Sequence, residues 1–300
     1  MVLWFSPAHW QLDMANFSVE PLDATFGAIV TDIDLAHLDD QAFQVLYRVW
    51  LDNSLLIFPD QHLSLEDQQP FSERFGELEF PMDAITNVRD DGTPRIVDPE
   101  DELIKILRGN EGWHCDSTYM PVQSKCAIFS AHVAPASGGG TAWVDMRAAY
   151  DGLSDAMKAR IVPLKAYHSI RYSQAKIGHF YGDGDDHGDY DSYGMDIEPP
   201  LRPLVKIHPE TGRTTLMIGR HAHAIPGLSA DESEQLLSEL SQFACQPPRV
   251  YEHSWCPGDV AVWDNRALMH RACPYDMHEP RIIYNCRIAG DPETEFAAHA

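Results

Sequence analysis

Apolar positions along this chain recur with two periods. From Asp39 to Asn53, the residues Phe43, Leu46, Tyr47, Val49 and Trp50 fall at the spacing of one buried helical face. Leu65 to Phe75 predicts a second, shorter helix, and others are predicted over Asp145 to Asp151, Ser154 to Ile161 and Ser229 to Phe243. Elsewhere the apolar runs are short and end at Gly or Pro, which marks strands and turns. Those runs are Phe17 to Leu22, Ala28 to Ile33, Ser54 to Phe58, Ala127 to Val133, Leu204 to Ile207, Leu216 to Gly219, Val260 to Trp263 and Arg281 to Ile288. Many short strands with helices between them predict a mainly β chain with flanking helices, a jelly-roll core that carries its ligand site in the mouth of the roll. No internal repeat or long linker divides the chain, so residues 1–300 are expected to form a single domain.

One stretch departs from both periods. Tyr181 to Asp196 interleaves six aspartates with Gly and Tyr. A helix–loop–helix calcium site would need glutamate at the twelfth position counted from Asp183, and that position is Gly194. Residues 181–196 therefore read as an acidic surface loop or lid.

Composition narrows the partners. A chain of 300 residues with 44% hydrophobic content can bury a sizeable core. Its 46 acidic residues against 22 basic give a net charge of −24, which repels phosphate backbones and anionic membranes. The expected partners are a small-molecule substrate and further copies of the chain in a homo-oligomer, with no nucleic acid and no membrane. No run is long enough to span a bilayer, and Met1 to Pro7 lacks the basic and apolar regions of a secretion signal, so a cytoplasmic location is expected. The six cysteines are scattered without a Cys-x-x-Cys pair, which indicates reduced thiols rather than a zinc knuckle or a disulfide framework.

The chemistry-bearing residues lie in three separated segments. In Trp113-His114-Cys115-Asp116 an imidazole and a carboxylate two residues apart point to one side of an extended backbone. With the distant His270 they can cap one face of a metal and leave the opposite positions open, the arrangement of a non-haem Fe(II) oxygenase site. Gly138 to Gly140 permit a tight turn before the hydroxyl of Thr141, and Arg281 follows His270 on a predicted strand. A fixed guanidinium and a hydroxyl beside a metal can grip a carboxylate. Asn110, four residues before His114, is placed either to contact a co-substrate or to form a turn. His221 and His223 have no third ligand at useful spacing and read as site-wall or structural residues. Trp113, Tyr119 and Phe129 suit either an aromatic pocket or the core. The same two histidines and one aspartate would also serve a zinc hydrolase, although Arg281 and Thr141 would then have no keto acid to hold. A non-catalytic jelly-roll binding protein would need no intact triad.

Five segments carry a wider resemblance: Arg108 to Ser117, Ser137 to Thr141 with Asp145 to Tyr150, Ile218 to His223, Val262 to Arg266, and Met269 to Arg271. In these the chain resembles the taurine dioxygenase (TauD)/TfdA family of Fe(II)/2-oxoglutarate-dependent dioxygenases, most of all its phenoxyacetate (2,4-dichlorophenoxyacetate) branch, from about Phe17 to Gly290. The resemblance implies a double-stranded β-helix of the cupin-like kind. It implies that His114, Asp116 and His270 hold Fe(II), that Thr141 and Arg281 hold the distal carboxylate of 2-oxoglutarate with Asn110 nearby, and that O₂ is the third reactant. The activity implied is hydroxylation of a small organic substrate at an unactivated C–H, with cleavage where a heteroatom adjoins that carbon, coupled to decarboxylation of 2-oxoglutarate to succinate and CO₂. Asp116 argues against the related halogenases, in which that carboxylate is lost. Taurine dioxygenases grip their sulfonate with an arginine four residues past the keto-acid arginine; this chain has Asn285 there. Lys105, Arg108 and Arg171 are candidate replacements for that charge.

Overall fold

A computed structural model describes residues 17–89, 107–178 and 193–297. Lys105 and most of the acidic segment lie outside the described residues. Seven strands form the larger sheet, in the spatial order β1 (Ser18–Pro21), β2 (Ala28–Thr31), β3 (Leu55–Phe58), β13 (Val260–Asp264), β5 (Cys126–Val133), β15 (Ile282–Ile288) and β4 (Asp83–Thr86). A smaller sheet runs β12 (Val250–His253), β6 (Thr141–Asp145), β14 (Leu268–Ala272). Two minor sheets complete the roll, one of β11 (Ala222–His223), β7 (Lys165–His168) and β8 (Leu201–Pro203), the other a β9 (Val205–Ile207) and β10 (Thr214–Leu216) hairpin. Among the described residues every strand pairing is antiparallel except β2 with β3.

Three apolar clusters explain why so many strands read as unbroken apolar runs. Phe129, Trp143, Trp255, Trp263, Leu268 and Ile283 fill one cluster, in which the edge of Phe129 meets Trp263 at 4.6 Å. A second joins the other side chains of the larger sheet to Phe43, Leu46 and Trp50 of the helix Asp40–Asn53. A third packs Val144 and Met269 against Leu236, Leu237 and Leu240 of the helix Ala230–Ala244. The larger sheet is thus covered on both faces, and strands such as Leu55–Phe58 lose the polar half of the usual alternation. Among the described residues no helix is long and apolar enough to cross a membrane.

The predicted elements recur with small shifts. Asp39 caps the first helix by accepting from the Ala42 amide, and Ser54 at φ 63° ends it. Ser229 and Glu232 form a reciprocal capping box on the helix Ala230–Ala244. The helix predicted from Asp145 starts at Met146, because Asp145 closes β6 and caps the helix with its own carboxylate. The strand predicted over Leu216 to Gly219 is corrected: the strand is Thr214–Leu216, and the chain then turns at Gly219. Gly219 has φ 126°, and a Cβ there would sit 3.1 Å from the Trp113 carbonyl and 3.3 Å from His114 Cα. That close approach lets the next residue, Arg220, donate its amide to the Trp113 carbonyl at 2.8 Å.

Candidate active site

His114 and His270 meet through their backbones before their side chains meet. The two residues exchange both amide-to-carbonyl bonds, at 2.9 and 2.7 Å, as an isolated antiparallel bridge on the edge of the smaller sheet. Their rings lie 4.3 Å apart, and both Nε2 atoms are 3.9 Å from Oδ1 of Asp116. His114 is turned by a 2.7 Å contact between Nδ1 and the Gly112 carbonyl; the His270 ring packs on Trp263 at 4.8 Å. Asn265 holds the other carboxylate oxygen, donating from Nδ2 to Oδ2 at 3.3 Å, and itself accepts from the Trp263 indole N–H at 3.0 Å. All three side chains are buried, and one ligand atom from each lies within 4.8 Å of the others.

This donor set fits a divalent iron. The 3.9 Å separations are too long for hydrogen bonds and suit donors grouped around a shared cation. Burial pushes the His114 imidazole well below its usual pKa and lowers His270 too, which keeps both neutral, the form that binds metal. Burial alone would raise the Asp116 carboxyl, but the Arg287 guanidinium, with the Asn265 hydrogen bond, outweighs it and lowers the group from its usual value.

A cavity opens from these ligands, and its two ends are built differently. At the sheet end stand Ile85, Phe129, Thr141, Ala272 and Arg281, with Asn110. Gly138 and Gly139, at φ 71° and 65°, carry the chain tightly past Tyr275 into Thr141, and the Gly139 carbonyl accepts from Arg281 Nε at 2.9 Å. The Arg281 amide donates to the Asn87 side chain at 2.8 Å, so both ends of this buried residue are fixed. The Thr141 hydroxyl accepts from the Trp255 indole at 3.0 Å. At the other end Tyr119, Ile170, Gln174, Tyr193, Met195, Arg220 and His221 line the wall. Gln174 Oε1 accepts from Arg220 at 2.9 Å, and Ser173 Oγ lies 3.3 Å from the same nitrogen. Tyr193 donates to Glu79 at 2.6 Å, and burial raises the Glu79 carboxyl against the pull of Arg287.

The remaining candidates separate cleanly. His221 lines the cavity, its Nδ1 2.9 Å from Ser173 Oγ and its ring 4.9 Å from Tyr119, whereas His223 stacks on Tyr172 away from the cavity. Asn285 is buried on β15 opposite Phe129 and does not line the cavity; Arg287, two residues on, does. Arg287 sits 2.9 Å from Asp116 Oδ1 and 4.0 Å from Glu79. Arg108 is exposed beside a neighbouring cavity, and Arg171 pairs with Asp196 on the surface. Trp113 lies under the Arg271 guanidinium at 4.8 Å and leaves the wall to Tyr119 and Phe129. Arg220 and Arg287 line the cavity, yet neither stands out in the sequence by spacing. Alternation along β15 from Asn285 is the sequence signal for Arg287, and Arg220 lies within the Ile218–His223 segment beside two histidines.

The model of the family described as "Taurine catabolism dioxygenase TauD, TfdA family" matches residues 18–287. An (S)-phenoxypropionate/alpha-ketoglutarate-dioxygenase of Sphingobium herbicidovorans is 58% identical over 94% of this chain and 98% of its own. An alpha-ketoglutarate-dependent 2,4-dichlorophenoxyacetate dioxygenase of Cupriavidus pinatubonensis is 34% identical over 87% of this chain and 93% of its own. The crystal structure of AAD-2 in complex with Mn(II) and N-oxalylglycine superposes with a TM-score of 0.84 at 32% identity, covering 95% of this chain and 99% of that one.

Proposed function

Because the chain belongs to the taurine catabolism dioxygenase TauD, TfdA family, we propose that its substrate is an (S)-2-aryloxypropionate, cleaved at the carbon beside the ether oxygen. The chain is an Fe(II)- and 2-oxoglutarate-dependent dioxygenase with a jelly-roll fold, acting on a small molecule. The observation that carries the substrate reading is a guanidinium, Arg220, set in one cavity with an apolar and aromatic wall of Tyr119, Ile170, Tyr193 and Met195. Such a cavity suits an anion joined to an aryl ring, and the relative at 58% identity is named for a substrate of that kind.

In this reading His114, Asp116 and His270 hold Fe(II), and Arg281 with Thr141 holds the distal carboxylate of 2-oxoglutarate. Bound together, Fe(II), 2-oxoglutarate and O₂ supply the oxidation of an unactivated C–H, with release of succinate and CO₂. Arg220 takes the substrate carboxylate in its planar fork, oriented by Gln174 and Ser173. Arg287 balances the Asp116 and Glu79 carboxylates. The apolar wall seats the aryl ring and keeps water from the reacting carbon. One oxygen atom inserted into the C2–H gives a hemiketal. Its ether C–O bond then breaks as the hydroxyl proton passes to the departing phenoxide, leaving a phenol and pyruvate.

The test is succinate formation with (S)-2-phenoxypropionate, its (R) enantiomer, phenoxyacetate and taurine, each supplied separately. The (S) compound is expected to give the highest kcat/KM, above taurine by at least about tenfold, the effect of roughly 1.4 kcal/mol of lost binding. Preference for taurine would overturn the reading.

A further inference from the structure

Trp255 stands behind the keto-acid end of the cavity without lining it. It is buried, with 6% of its surface exposed, and its only polar group, the indole N–H, points at Thr141 Oγ1 from 3.0 Å. The ring is held in place: the His253 edge meets it at 4.9 Å, Phe129 lies 6.3 Å away and Trp143 6.4 Å. His253 is anchored in turn by Asp259 at 2.9 Å, and Asp259 also accepts the Cys256 amide. The indole therefore has little freedom to swing away from Thr141.

The direction of that hydrogen bond matters. An indole N–H only donates, so the Thr141 oxygen must accept from it; the hydroxyl then keeps one proton and one lone pair for other partners. Among the described residues no protein acceptor takes the Thr141 proton. Thr141 lines the cavity on the same side as Arg281, whose guanidinium also donates. A hydroxyl offered there as donor complements a carboxylate, whereas a freely rotating one would spend part of its time with the wrong atom forward.

We infer that Trp255 is a positioning residue for 2-oxoglutarate, acting through Thr141 by fixing the rotation of its hydroxyl so that the proton faces the keto acid's carboxylate. The inference depends on Thr141 being part of the clamp. It is separate from the substrate end, so the KM of the organic substrate should not move.

The experiment is calorimetric titration of 2-oxoglutarate into the anoxic Fe(II)-loaded protein, in a cycle of Trp255→Phe, Thr141→Val and the double variant. A fourth protein carries benzothienylalanine at position 255, which keeps the two-ring shape but replaces the N–H by sulfur. Trp255→Phe and the benzothienyl protein are each expected to raise the 2-oxoglutarate Kd by about three- to tenfold. In the Thr141→Val background the Trp255→Phe effect should shrink to within about twofold. An unchanged Kd in the benzothienyl protein, or an equal Trp255→Phe effect in both backgrounds, would overturn the positioning role while leaving the clamp intact. An unchanged Kd in Thr141→Val alone would instead remove Thr141 from the clamp, and the inference with it.

Discussion

The two ends of the cavity are made of different material. At the proposed metal and keto-acid end, His270 and Thr141 lie on paired strands, β14 and β6, whose register joins Ala272 to Thr141 and His270 to Trp143. His114 is bridged directly to His270, and Arg281 is fixed by Gly139 and Asn87. At the proposed substrate end, Tyr193 and Met195 come from a turn at the end of the acidic segment, Arg220 and His221 from the turn after Gly219, and Ile170 and Gln174 from a helix of only six residues. A sheet ladder holds donor atoms to the tolerance a metal demands, while loops can vary in shape without disturbing it. The proposed metal and keto-acid end is thus tied to the strand framework, with His270 and Thr141 on strands, His114 bridged to one, Arg281 just before β15 and Asp116 in a turn, whereas the proposed substrate end is built on connections.

The sharpest way to break this comparison is to remove one ligand. His270→Ala or Asp116→Ala is expected to abolish succinate formation and also the rise in Tm that Fe(II) gives the unmodified protein, since binding to the folded state alone is what raises it. A retained Tm rise in His270→Ala would take that residue out of the metal site. A smaller effect should follow Arg281→Ala, in which 2-oxoglutarate loses a charge-assisted bond worth about 1.5–3 kcal/mol. Its 2-oxoglutarate Kd should rise by roughly ten- to hundredfold while metal binding persists. An unchanged Kd would place the clamp elsewhere.

How much of this was legible in the sequence follows the same division. The helix Asp40–Asn53 was readable from its helical period and the strand Leu55–Phe58 from its unbroken apolar run, each packed against a continuous apolar layer. The cluster of His114, Asp116 and His270 was readable because His114 and Asp116 lie close in sequence and the family spacing points to His270. The strand β14 that carries His270 is not legible as an apolar run, because the adjacent His270 and Arg271 interrupt it. Arg220 and Arg287 could not be ranked above other arginines by spacing alone. Arg287 is buried and Arg220 half-buried against the cavity, a placement that arises only when β15, the Gly219 turn and the 170–175 helix are packed together.

The mildest variant sharpens the comparison at the loop-built end. Arg220→Gln is expected to raise the KM for the aryloxy acid by about tenfold or more, through loss of a charge-assisted bond, and to leave the 2-oxoglutarate Kd within about twofold of its starting value. A matched rise in both would mean that the two ends are not independent.

The most direct test of the account is a product balance on the unmodified protein. With (S)-2-phenoxypropionate, excess 2-oxoglutarate and air, phenol, pyruvate and succinate are measured in one reaction by chromatography. Phenol and pyruvate are expected in equal amounts, each matching succinate to within about a tenth, since one oxygen atom enters the substrate for each keto acid consumed. Succinate formed without phenol would contradict the substrate assignment.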